Sequence, residues 1–183
     1  MSTIKLKEPQ FSAIPEFTRT AHYVVDYPLK YLEDRVQKFI EEDDLNLDPD
    51  FQRAHVWNET QQRRYVEYLL RGGMSARVLY FNHPGWQRDW KGQMVIVDGK
   101  QRLEAIRGFL RDDLAVFGYT RSQFTDKLHI GYTVKFAIND LRTRKEVLQW
   151  YLDLNAGGVV HTDDEIEKVR KLLKDEKEYA QKN

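Results

Sequence analysis

The chain has 183 residues, of which 41% are hydrophobic, 13% aromatic and 32% charged. That length supports one domain with a proper core, and that composition excludes disorder along the whole chain. With 29 basic and 29 acidic side chains the formal charge is zero, so no global field announces a nucleic-acid partner. Cysteine is absent, which excludes disulfides, thiolate metal sites and cysteine nucleophiles and fits a reducing compartment. The opening MSTIKLKEPQFSAI lacks the apolar core of a signal peptide, and no apolar run approaches a membrane span. A cytoplasmic protein without membrane contact is the expectation.

Charge is balanced but unevenly spread. Residues 1–50 carry six basic and eleven acidic side chains, whereas residues 51–111 carry eleven basic and five acidic. A basic middle third between acidic flanks takes anions as its natural ligands, although surface charges also cluster by chance in stretches of this size.

In chain order, residues 1–25 hold Pro9 and Pro15 with little periodicity and read as an amino-terminal arm; residues 26–183 read as a single domain. Pro28 opens a helix with Leu29, Leu32, Val36, Phe39 and Ile40 at helical spacing. Leu45 and Leu47 alternate as a short strand. Asn58 with Gln61 forms a capping box for a second helix that ends at Gly72-Gly73. Val78 to Phe81 is a strand, and a Trp-bearing loop follows over 84–92. There Trp86 and Trp90 flank Arg88 and Lys91; they suit base stacking, but also plain anchoring of a surface loop. Met94 to Val97, an unbroken apolar run, reads as a central strand buried on both faces. A helix with Leu103, Ile106, Phe109 and Leu110 inward begins directly after Asp98-Gly99. Leu114 to Phe117 and Thr133 to Ile138 read as strands, and Asp140 as the cap of a helix burying Val147, Leu148, Tyr151 and Leu152. Thr162 and Glu165 form a capping box for a last helix with Ile166, Val169, Leu172 and Leu173 inward. Helices and strands alternate without regular βαβ repetition, which predicts an α+β fold with a mixed sheet of four or five strands packed with helices.

Three constellations bear chemistry. In Val95-Ile-Val-Asp98-Gly99-Lys100-Gln101-Arg102-Leu103 a buried strand delivers Asp98 to the start of a helix, whose first amides lack intrahelical partners and attract phosphate. Lys100, Gln101 and Arg102 add donors, and Asp98 suits a divalent cation or a bound water; equally, Asp98 can simply cap the helix. In Asp48-Pro-Asp50-Phe51-Gln52-Arg53-Ala-His55-Val-Trp57, Arg53 and His55 share one face of an extended segment and could clamp an anion, while Phe51 and Trp57 anchor it. A loop merely pinned by its two aromatics fits the same spacing. In Leu154-Asn155-Ala-Gly157-Gly158, paired glycines end a helix and can also expose amides to a phosphate or base. The five histidines show no zinc-ligand spacing, and neither a GxxxxGK[ST] phosphate loop nor a GxSxG elbow is present.

Taken in this order, P-x-F-Q-R-x-x-V-W, V-D-G-x-Q-R-L-x-A-I-x-x-F-L and L-N-x-G-G resemble the GmrSD N-terminal domain family, whose hallmark is a DGQQR motif and whose fold is similar to the ParB/sulfiredoxin fold. The resemblance covers roughly residues 45–173. It implies a nucleotide-binding α+β domain, a Mg2+-dependent NTPase acting in DNA restriction or its counteraction, with nucleotide state controlling contact with DNA or a protein partner of a defence system. Carried over by position, Asp98, Gly99, Gln101 and Arg102 occupy the hallmark, Gln52 and Arg53 the upstream clamp, and Asn155, Gly157 and Gly158 the downstream loop. Together with the donors His55 and Lys100, this predicts Asp98 and Arg102 as the catalytic pair, with Mg2+ on Asp98, and Gln52, Arg53, His55, Gly99, Lys100, Gln101, Asn155, Gly157 and Gly158 as nucleotide and phosphate ligands. Lys100 stands where the hallmark usually has Gln, adding a cation; Asp153 stands where many members place Arg before Leu-Asn, which puts one phosphate contact in doubt. Two other readings stay open: a non-catalytic DNA- or protein-binding module that retains the fold, and a ParB-like DNA nuclease.

Overall fold

The computed structural model describes residues 10, 13–14, 16–19, 21–52, 57–155 and 163–182. Four strands, β1 (Tyr23–Pro28), β2 (Val78–Asn82), β3 (Val95–Asp98) and β4 (Thr133–Asn139), form one mixed sheet in the order β1-β4-β2-β3. The β1–β4 and β2–β3 pairs are antiparallel and β2–β4 is parallel. Five helices pack on it: α1 (Leu32–Glu42), α2 (Glu59–Leu70), α3 (Lys100–Leu110), α4 (Arg144–Asn155) and α5 (Asp163–Lys182). The α+β expectation is met. Among the described residues, no helix is long and apolar enough to cross a membrane.

The strands' two-residue period sorts side chains into two cores. Leu79, Phe81, Ile96, Phe136 and Ile138 face α1, α2 and α3, while Val97 packs with Val147, Leu148, Trp150 and Tyr151 of α4 and with Val169 and Leu173 of α5. Ile96 and Val97 are both fully buried, so β3 is covered on both faces as its apolar run predicts. It is nevertheless an edge strand. Its free edge is taken by a single parallel bridge, Asn46 to Val95, with Asn46 N donating to Met94 O (2.8 Å) and Ile96 N donating to Asn46 O (3.1 Å). That bridge is all that forms of the strand expected at Leu45–Leu47.

Other local expectations are corrected. Pro28 ends β1 rather than opening a helix; a 3-10 turn (Leu29–Tyr31) intervenes before α1, and Leu29 N continues the pairing to Tyr132 O at 2.8 Å. Tyr23, Val24 and Val25, expected at the end of an arm, belong to β1. Leu114–Phe117 is a turn closed by a Val116–Tyr119 bridge. Asp140 does not cap α4: it pairs with Arg88 at 2.8 Å, while Glu146 N donates to Thr143 Oγ1 (3.2 Å) and Thr143 N to Glu146 Oε2 (2.9 Å). Asn58 and Gln61 cap α2 reciprocally, as the capping box requires. Trp86 is buried against Phe39 and Tyr23, which makes it an anchor, and Trp90 lies edge-on to it, half exposed. Thr162 lies outside the described residues.

One partly buried ion cluster, centred on Arg107, locks α1 to α3. Arg107, 6% exposed at its side chain, donates to both carboxylate oxygens of Glu33 (3.0 and 3.2 Å) and to Glu104 (3.3 Å); Arg111 also donates to Glu33. Burial pushes the Glu33 carboxyl up, but the hydrogen bonds and charges of the two guanidiniums outweigh it and hold it below its ordinary 4.5. A carboxyl lowered in the folded state contributes stability that is fully present above pH 4.5 and is lost as pH falls through the lowered value. Urea midpoints measured from pH 7 down to pH 3 are expected to fall through this window more shallowly in Glu33→Gln than in the wild type. At neutral pH Glu33→Gln is expected to cost about 2 kcal/mol, because Arg107 keeps only Glu104 as a charged partner.

Candidate functional site at the start of helix α3

The register of β2 against β3 slips between Tyr80 and Phe81: Phe81 faces Ile96 and Tyr80 faces Asp98, leaving Val97 as the extra residue of a bulge. Bulges re-aim side chains, and this one sets the orientation of Asp98 at the strand's end. Gly99 then turns the chain with φ +103° and serves as the N-cap of α3, without a side-chain cap bond. The first intrahelical bond runs from Leu103 N to Gly99 O at 2.8 Å, so the amides of Lys100, Gln101 and Arg102 have no intrahelical acceptor.

Asp98 does not cap the helix. Its Oδ2 accepts from Arg102 Nη2 at 2.5 Å, and Arg102 Nη1 donates to Val78 O at 2.8 Å, fixing the guanidinium between β2 and the carboxylate. The two side chains are 34% and 15% exposed respectively, so the pair is reachable from solvent. Two phenols stand close. Burial, with the Asp98 charge adding to it and Arg102 opposing, raises the Tyr80 hydroxyl above its ordinary value. Burial likewise pushes Tyr65 up to about 12, and its hydroxyl donates to Ala76 O at 2.9 Å. Both phenols are protonated at neutral pH.

Residues Asp48 to Gln52, and separately Trp57, are tied to this corner. Lys100 pairs with Asp48, Gln52 Nε2 donates to Ile96 O at 2.8 Å, and Trp57 N donates to Gln101 Oε1 at 2.9 Å. Phe51 is buried edge-on to Tyr151 (5.4 Å between centroids), and Trp57 stands edge-on to Tyr65 (5.4 Å). Pinning by two aromatics is therefore real, and each ring enters a different core. Gln52 and Gln101, expected as phosphate ligands, serve as ties between segments. Arg53 and His55 lie outside the described residues. Asn155 ends α4 and donates back to Tyr151 O at 2.6 Å, and Tyr151 is the residue that Phe51 meets. Gly157 and Gly158 lie outside the described residues. Asp153 accepts from Thr18 N and from Gln149, both at 2.8 Å, and so fastens the amino-terminal segment to α4.

Sequence reasoning leaves out Tyr80 and gives Asp48 no role. The alternation Leu79-Tyr80-Phe81, two inward aliphatic or aromatic residues around a tyrosine, is the signal that places Tyr80 on the opposite face. Gln101→Ala is expected to lower stability by about 1–2 kcal/mol in urea unfolding, since it strands the Trp57 amide.

The fold and this corner define an α+β domain in which a strand–Asp–Gly–helix turn is tied to the upstream residues Phe51 and Gln52. Residues 36–140 match the family described as GmrSD restriction endonuclease, N-terminal domain, and the chain belongs to that family. The matched segment contains both motifs of the corner and ends before Leu154–Gly158. Searches of curated proteins and of solved structures each returned no match.

Proposed function

We propose that this domain binds a nucleoside triphosphate at the β3–α3 corner and hydrolyses it with Mg2+. Nucleotide state then governs its engagement with DNA or a protein partner in restriction or its counteraction. One observation carries this reading: Asp98 and Arg102 meet beside three α3 amides that lack intrahelical acceptors. Aligned amides and a guanidinium hold phosphate oxygens; a carboxylate next to them holds a metal or orients a water. The family's description as a restriction endonuclease domain supports the biological setting.

Mg2+ is commonly held by one or two carboxylates together with substrate phosphates and water, and when bound it neutralises charge developing on the transferred phosphoryl group. Asp98 fits that role as a single carboxylate. No group of three or more metal-binding side chains occurs among the described residues, so the phosphates must complete the shell. Arg102 must then exchange its bond to Asp98 for one to phosphate, while its second nitrogen stays on Val78 O.

A second reading, a binding module without turnover, is favoured by a specific observation. Lys100, Gln101 and Gln52 already spend donors or acceptors on Asp48, Trp57 and Ile96. Calorimetry over ATP, GTP, CTP and UTP with Mg2+, with inorganic phosphate assayed in parallel, separates the two. Binding with phosphate release supports the NTPase; binding without release supports the module; neither heat nor phosphate overturns both.

A further inference from the structure

We infer that the far end of α3 carries a second ligand site, for a planar aromatic ring bearing an anionic group. It lies beside Phe109 and Asp112, whereas Asp98 and Arg102 stand at the helix's start; at 1.5 Å per residue the two sites are roughly 15 Å apart. A cavity of about 680 Å3 opens there, within the rough 300–1,000 Å3 span of small-molecule sites.

Its apolar part is aromatic: Phe109, Phe124 and Tyr132 line it together with Leu70. Phe124 stands edge-on to Phe109 at 6.0 Å and remains partly exposed, so a flat ring has faces to lie against. Lys30, Arg121 and Lys127 also line the cavity, and among the described residues none of the three has a carboxylate within ion-pair distance. The lining carboxylates are Asp112 and Asp126, and Asp112 is engaged by the Ser122 amide and by the Arg121 charge. The Ser122 amide donates to it at 2.8 Å, and that bond is the leading reason its carboxyl sits below the ordinary range. His129 Nδ1 accepts from Gly131 N at 3.0 Å, which leaves Nε2 as the protonated, donating nitrogen. Three cations and a histidine against two carboxylates, with Arg121 already acting on Asp112, leave Lys30 and Lys127 beside the aromatic walls to select a ring that carries negative charge.

The backbone holds this arrangement in place at a conformational cost. Asp112 and Phe117 both lie in the left-handed region, at φ +68° and +51°. Phe117 is kept there by the hydrogen bond its backbone N–H donates to Glu67 Oε1 (2.8 Å) and by the Val116–Tyr119 bridge, and the residue is 46% exposed among those lining the cavity. Such outliers persist only where surrounding contacts over-determine them, and they gather at ligand clamps.

The test uses the full chain, indole-3-carboxylate as probe and uncharged indole as its control, followed by amide chemical shifts in NMR titrations. Saturable shifts at Ser122, Lys127 and His129 are expected for the carboxylate below ~10 mM, with indole at least tenfold weaker. Lys127→Glu, at an exposed position that leaves the fold intact, is expected to weaken the probe tenfold or more; Asp98→Ala is expected to leave it unchanged. Three results would overturn the site: no saturable shift, equal affinity for indole and its carboxylate, or a self-associated chain in sedimentation whose Phe117 face the probe cannot reach.

Discussion

Gly99→Ala is expected to lower the melting temperature by about 6–12 °C, corresponding to roughly 3 kcal/mol in a domain of this size. Two effects add. At φ +103° a Cβ is strained, on the order of 1–2 kcal/mol. The new Cβ would also sit 2.7 Å from Leu79 Cδ2 and 3.3 Å from Leu79 Cα. Leu79 is fully buried in β2 and paired to β4, so neither its side chain nor its backbone can yield cheaply, and overpacking of this kind costs roughly 1–3 kcal/mol. Gly118 supplies the control. Its φ is +83° but nothing lies within 4 Å of the position a Cβ would take, so Gly118→Ala should show the strain alone, about 1–2 kcal/mol. Equal losses in the two variants would mean that the close approach to Leu79 contributes nothing. The glycine of the hallmark motif thus has a packing duty besides any duty toward a ligand.

What can be read from the chain alone divides by how local the cause is. Asn58 and Gln61 are three residues apart and their reciprocal bonds form as expected, because both donors and both acceptors belong to one turn. Asp98 and Arg102 sit four apart at a strand–helix junction, and they too meet. The strand order is not legible. Met94 to Val97 is apolar enough for a central strand, yet its burial comes from α4 on one face and α2 and α3 on the other, with β3 at the sheet's edge. Pro28 is ambiguous because proline is at home both at a helix start and at a strand's end; only pairing with β4 decides between them. The chemistry of Gln52 and Gln101 is ambiguous in another way. An amide side chain is as good a tie as a ligand, and the partners that make each a tie, Ile96 O and the Trp57 amide, lie 44 residues away in sequence.

Asp98→Ala is expected to separate nucleotide binding from turnover. On the proposed function, the carboxylate would compete with the phosphates for one guanidinium: Arg102 Nη2 is held by Asp98 at 2.5 Å. Removing the carboxylate deletes the competitor and leaves a cation, still positioned by Val78 O, beside the start of α3. Nucleotide affinity measured in EDTA should therefore hold or rise. Phosphate release with Mg2+ should fall on the order of 10²-fold or more, since the variant lacks the group proposed to hold the metal or align the water. Arg102→Ala should do the reverse to affinity, weakening nucleotide binding about 10-fold to 100-fold, in keeping with the loss of a charge-assisted hydrogen bond. Arg102→Lys should recover charge but not the two-pronged grip on Asp98 and Val78, and so only part of the affinity. The split between metal-free affinity and metal-dependent turnover is the informative quantity, because a pair that served only to join β3 to α3 would lower stability in both variants and move neither ratio. Circular dichroism melts on the same samples tell these outcomes apart. Equal loss of affinity in Asp98→Ala with and without Mg2+ would place the carboxylate in the scaffold and leave the α3 amides and Arg102 to hold the phosphates unaided.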